Sequence, residues 1–189
     1  MNHLAHAFLA ADSPESLIGN LAGDFFKGPV SRHDLRLQEG IRLHRRVDEF
    51  TDTHPAVRAS KRRIAQEHGH YSGIIVDVFY DHLLAVSWQR FSTETLENFA
   101  QRVYSTLEQY PELVPPAFAV SLPRMISDDW LVRYRSIEGV SRALYFLSRR
   151  LRNAPRLDQA IPLLESQRGE LEQDFAGFFP ELVSLRNSE

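Results

Sequence analysis

The segment "GIIVDVFYDHLLAVSW", residues 73–88, limits the fold more than any other part of the chain. At 100° per residue, Ile74, Val76, Val78, Phe79, Leu83, Leu84 and Val86 cover nearly every direction around the axis. That is the pattern of a helix buried on most sides, which needs other helices around it. The rest of the chain supplies them and contains no strand series. A short helix spans 2–11, and Ser13 as N-cap with Pro14 at the first helical position opens another to about Phe26. The turn "KGPVSRHD" leads into a helix at about 33–51, and Pro55 restarts the chain as a basic helix to about Glu67. The central helix is expected at about 73–90, followed by one at 93–109. "YPELVPP" makes a proline-rich corner before a short, irregular stretch at 116–126. Helices near 128–135, 137–152 and 157–178 complete the chain, the last split or delayed by Pro162. The expected fold class is all-α, one domain over 1–189, a helical bundle of about eight helices.

At 189 residues the chain can bury a sizeable core without covalent staples, and with no cysteine it has neither disulfides nor thiolate metal sites. The start, "MNHLAHAFLAADSPES", lacks the basic region of a signal peptide, and no apolar run approaches a membrane span. A cytoplasmic protein is the expectation, with no membrane partner. A net charge of −3 gives no electrostatic footprint for nucleic acid.

Polar residues set into apolar helix faces carry the functional signal. In "GIRLHRRVDEFTD", residues 40–52, His44 and Asp48 are four apart and share the arc of Ile41, Leu43 and Val47. Arg42, Arg45, Arg46 and Glu49 lie opposite. A carboxylate on an apolar face needs a partner, because burying it unpaired costs several kcal/mol. Either His44 and Asp48 satisfy each other, or both share a cation. Asp77 and Asp81 are again four apart in the most apolar helix, with His82 beside them. Two such carboxylates repel and desolvate together, so they call for a divalent cation or arginines. Near the N-terminus, Asn2, His3 and His6 share helical spacings, and Asp24 falls on the arc of Leu17 and Leu21. Together His6, Asp24, His44, Asp48, Asp77 and Asp81 form a carboxylate and imidazole set without thiolate. Such a set suits Mn²⁺ or Mg²⁺, and also Fe²⁺ or Zn²⁺. Histidine ligands must be neutral, so affinity is expected to fall between about pH 8 and pH 5.

"MNHLAHAFLA…ESLIGNLAGDFFKG", "GIRLHRRVDEFTDTHPAVR", "IIVDVFYDHLLAVSW" and "DDWLVRYRSIEGV" together resemble the acyl carrier protein phosphodiesterase family, in order and over essentially the whole chain. The resemblance implies a cytoplasmic enzyme that removes 4′-phosphopantetheine from holo-acyl carrier protein with Mn²⁺ preferred, on a distorted HD-like helical fold. The HD pattern itself is not kept: the adjacent pair is reversed as Asp81-His82, and His44 and Asp48 are four apart. Matching positions are Asn2, His6, Asp24, His44, Asp48, Asp77, Asp81 and His82. Of these, His6, Asp24, His44, Asp48 and Asp77 are assigned here to the metal, and Asp81, His82 and Asn2 to catalysis. Asp81 or His82 is placed to take a water proton or to protonate the departing serine oxygen. Arg42, Arg45, Arg46, Arg62 and Arg63, with Arg58 and Lys61 nearby, form a basic face suited to an acidic helical carrier. The bland alternative for that face is solvation. Rival functions are an HD-type phosphohydrolase of a small nucleotide-like substrate and a non-catalytic helical binding protein.

Overall fold

The computed structural model describes residues 1–151 and 154–186, and every regular element in that span is helical. Eight helices have seven residues or more: α1 (His3–Leu9), α2 (Pro14–Leu21), α3 (Gln38–Thr53), α4 (Pro55–His68), α5 (Ser72–Val86), α6 (Leu96–Gln109), α10 (Ile137–Arg150) and α12 (Arg168–Arg186). Four shorter ones bridge them: α7 (Pro116–Ala119), α8 (Leu122–Ser127), α9 (Trp130–Arg133) and α11 (Ile161–Ser166).

α5 is the axis that its sequence demands. Ile75, Val76, Val78, Phe79, Tyr80 and Leu84 are fully buried, and α1, α4, α10 and α12 pack around it. Side chains of this size contribute about 1.5–3 kcal/mol each when taken out of water, so the helix is held from all sides. The caps act as their residues dictate. Ser13 Oγ accepts from Ser16 N–H with Pro14 at the first position of α2, and Thr95 and Ser136 cap α6 and α10 in the same way.

Several boundaries differ from the sequence expectation. α2 ends at Leu21 instead of about Phe26, and Gly23–Phe25 forms a tight 3-10 turn. The reason is contact across the fold: a Cβ on Gly23 would lie 2.1 Å from the His44 ring, so this backbone is the surface on which His44 rests. α3 starts at Gln38, after a 3-10 turn at Leu35–Leu37. α5 stops at Val86, with Trp88–Arg90 as another such turn. The helix expected at 128–135 shrinks to α9, because Asp129 takes a left-handed conformation (φ 47°) just before it. In the 157–178 segment the α-helix starts late, as expected, with Pro162 in the first turn of α11, but a break at Gln167 follows and α12 runs on through Pro180 to Arg186. Residue 152, the expected end of α10, lies outside the described residues.

α2 and α3 cross where Gly19 meets Gly40. A Cβ on Gly19 would come within 2.7 Å of the Leu37 carbonyl, and one on Gly40 within 2.6 Å of the Ser16 carbonyl. This glycine crossing lets the two backbones touch and brings Asn20 of α2 against His44 of α3.

Candidate metal centre

Four elements meet at one point: α1 brings His6, the turn after α2 brings Asp24, α3 brings His44 and Asp48, and α5 brings Asp77. Asp48 is the link. Its Oδ1 lies 3.2 Å from His6 Nε2 and its Oδ2 lies 3.1 Å from His44 Nε2. The two imidazoles stack with centroids 4.2 Å apart. His6, His44 and Asp48 each present one ligand atom within 4.8 Å of the others.

The orientation of both rings is set from behind by Asn20, which is fully buried. Its side-chain N–H donates to the His6 carbonyl at 2.7 Å, so its Oδ1 is the acceptor for His6 Nδ1–H at 3.0 Å. The Asn20 carbonyl in turn accepts from His44 Nδ1–H at 2.8 Å. With both Nδ1 atoms engaged by Asn20, both Nε2 atoms turn toward Asp48, where a bound cation would be met by their lone pairs. The sequence reading passed over Asn20, although its place between Leu17 and Leu21 on the arc of Asp24 was a usable signal. Replacing Asn20 with Ala is expected to lower metal affinity about 10–100-fold by releasing the His6 ring. Titration calorimetry checks it, and an unchanged affinity would show that the ring needs no such holder.

The other expected ligands stand at different depths. Asp77 Oδ1 is 3.1 Å from the Met1 ammonium, which also lies 3.8 Å from Asp48 Oδ1. A positive group thus already sits where these two carboxylates converge. Burial works against that ammonium, yet the charges of Asp77, Asp48 and Asp81 raise its pKa. Asp24 reaches His44 Nε2 at 3.7 Å and is exposed at the mouth, not inward on a helix as its spacing suggested. Its contact with His44 lowers its pKa. For Asp48, burial raises the pKa, but the hydrogen bonds to His44 and His6 outweigh this and hold it far below the carboxylate range.

Asp81, His82 and Asn2, the residues expected in catalysis, all make contacts that support the fold. Asp81 is fully buried and caps α1 from across the core, accepting from the N–H groups of Leu4 (2.7 Å), Asn2 and Ala5 (both 3.3 Å). Burial pushes its carboxyl up to about 7 despite these donors. His82 points elsewhere, with Nδ1 2.7 Å from the Tyr134 carbonyl and Arg168 and Glu172 as its charged neighbours. Asn2 is the local cap of α1, its Oδ1 accepting from His3 N–H at 2.9 Å. Asp81 and His82 follow Asp77 on a helix buried all round, so successive residues face different neighbours. Asp81→Ala would strand three backbone donors, costing about 3 kcal/mol. For a chain of this size the expected drop in melting temperature is about 6–12 °C. Asp81→Asn, which keeps an acceptor, is expected to lose less than half of that. Equal melting of wild type and both variants would refute the capping role.

The basic face is partly committed to the fold. Arg45 donates to the carbonyls of Phe26 (3.2 Å) and Gly28 (2.6 Å), pinning the loop after Asp24. Arg63 pairs with Asp174 of α12 in a network with Ser60 and Tyr80. Arg42 donates to Gln38, while Arg62 is exposed. Arg46 is half-buried. The cations that line the site are others. A cavity of about 560 Å³ opens over His6, His44, Asp24 and Asp77, and Lys27 and Arg150 stand in its wall. Neither was singled out from sequence, since no local spacing links positions 27 and 150 to the His/Asp set.

A donor set of two imidazole Nε2 atoms and several carboxylates, without sulfur, fits a hard or borderline divalent cation. The family profile described as acyl carrier protein phosphodiesterase matches residues 1–182. The chain belongs to the acyl carrier protein phosphodiesterase family. Relatives bearing that name include a Serratia proteamaculans protein, 33% identical over 97% of this chain and 96% of its own length. One from Enterobacter sp. strain 638 is 32% identical over the full length of both, and one from Photorhabdus laumondii is 30% identical over 97% of this chain and 93% of its own. No solved structure matches the chain. It is an enzyme, a phosphodiesterase. Among the described residues, no helix is long and apolar enough to cross a membrane.

Proposed function

We propose that this chain hydrolyses the phosphodiester joining 4′-phosphopantetheine to a serine of holo-acyl carrier protein, using a Mn²⁺ ion, in the cytoplasm, as one domain over 1–189. The observation that carries the reading is Asp48 bridging His6 and His44 beneath a cavity walled by Lys27 and Arg150. His6, His44 and Asp48 would hold the ion, with Asp77 next to them and Asp24 at the mouth. When bound, a divalent cation supplies Lewis acidity for attack of water on phosphorus. The chain's own residues do the rest. Asn20 keeps both Nε2 atoms aimed inward, and the Gly19/Gly40 crossing fixes α2 on α3. Lys27 and Arg150 receive the phosphate charge that repels a nucleophile, and they stabilise it as it builds up. Asp24, exposed and ionised at the mouth, is the group within reach of solvent that can take up the water proton. The exposed Arg62 and Arg42, on the outer face of α4 and α3, serve encounter with an acidic carrier. Mass spectrometry of holo-carrier incubated with the protein and Mn²⁺ tests the reading. Loss of the phosphopantetheine mass that chelator prevents is expected, and intact carrier at full metal loading overturns it.

A further inference from the structure

Beside the metal cavity lies a second, narrower opening of about 70 Å³. The two share Asn2, His3, Leu147 and Arg150 as walls, so they adjoin. Beyond His3 the walls are mainly apolar and aromatic, with Trp130, Tyr134, Ala143, Phe146 and Leu147, and Arg133 and Arg142 join them. His3 stands at the junction, its ring 6.1 Å from Phe118 and edge-on to Trp130 at 6.2 Å. Burial lowers its pKa to about 4, so it stands there as a neutral ring. Arg124 and Arg142 lie over the Phe146 ring at 4.0 and 5.7 Å, and Arg142, itself part of the wall, is tied to Asp128 at 2.7 Å.

We infer that this slot is the subsite for the end of the arm, receiving the thiol-ended tip of its neutral portion while the phosphate stays between Arg150 and the His/Asp cluster. The inference rests on the proposed diester substrate and adds to it how the arm is chosen. A pantetheine chain beyond its phosphate is uncharged, with two methyl groups on one carbon, two amides and a thiol. An aromatic slot edged by the donor groups of Arg133 and Arg142 suits such a chain, whose amide carbonyls accept and whose remaining surface is apolar. The carrier protein's fold would then stay outside, over the mouth, with only the arm entering.

The slot holds one of the chain's two tryptophans, and the other, Trp88, is buried with its indole bonded to the Glu94 carbonyl. Fluorescence changes on ligand addition therefore report Trp130. In the metal-loaded wild type, 4′-phosphopantetheine is expected to change the emission saturably and inorganic phosphate to leave it unaltered. Ala143→Phe, which fills the slot, is expected to weaken phosphopantetheine at least tenfold and to cut kcat/KM on holo-carrier at least tenfold, chiefly through KM. Ala143→Leu should fall between, which guards against a folding defect, and metal content and melting curves are read on each variant. Equal binding of phosphate and phosphopantetheine by wild type would overturn the slot. So would twofold or smaller effects in both filled variants. Wild type that binds phosphopantetheine in the slot but leaves holo-carrier intact would instead overturn the proposed reaction.

Discussion

Asp48→Asn is expected to lower divalent metal affinity by at least about a hundredfold, the upper range for removing a group one shell beyond the ligands. Hydrolysis of holo-carrier should fall with it below detection. The substitution keeps the shape of the side chain and removes only its charge, so the folded state should persist. The size of the effect follows from position: each oxygen of Asp48 meets a different imidazole, and the same carboxylate faces the Met1 ammonium. Asparagine would turn one of those oxygens into an N–H₂ group aimed at an Nε2 atom. A control separates this from a general loss of negative charge. Asp24→Asn removes a charge 3.7 Å from His44, but from an exposed side chain that touches one histidine only. It should lower turnover and change metal content little. Normal metal content and full activity in Asp48→Asn would dismiss the centre.

The sequence made the architecture legible because burial is periodic. α5 shows its all-round apolar character directly, and the α3 stripe of Ile41, Leu43, His44 and Val47 is buried while Arg42, Arg45 and Glu49 are exposed. The same rule picked out His6, His44 and Asp48, since a polar group on a buried stripe must be satisfied by something. What the rule cannot supply is the identity of that partner. Asp81 obeys it as fully as Asp48, yet its partners are the backbone donors of α1 and not a cation. Lys27 and Arg150 escape it, because they are ordinary exposed cations until the fold brings residues 27 and 150 to one cavity. Arg45 and Arg63 show the converse: a face that reads as solvated or docking contains side chains spent on a loop and on α12.

The pH dependence of metal binding should also depart from what free histidines would give. In the metal-free protein burial works against a charged His44, but its contacts with Asp24 and Asp48 prevail and hold its pKa up to about 9. His6, stacked on it, is shifted the other way: burial lowers its pKa, and the charges of His44 and Met1 add to this against the pull of Asp48. His6 therefore stays neutral across the working range while His44 carries a proton that a metal ion must displace. Competition with one proton changes affinity about tenfold per pH unit, so binding at pH 7 should be roughly a hundredfold weaker than on its plateau. The fall sets in below about pH 9 and continues downward, starting above the range expected from unperturbed histidines. The sign for stability runs oppositely. A raised pKa means that the His44 contribution is complete below its ordinary value of 6.5 and is lost as pH rises through about 9. The metal-free protein should therefore lose melting temperature over the interval in which metal binding strengthens, and the gap between loaded and unloaded melting curves should widen with pH. Anaerobic calorimetry with Mn²⁺ in buffers of different ionisation enthalpy counts the proton directly. One proton released at pH 7 and almost none at pH 10 is the expected result. No release at pH 7 would mean that His44 is already neutral, and that its carboxylate contacts do not control the site.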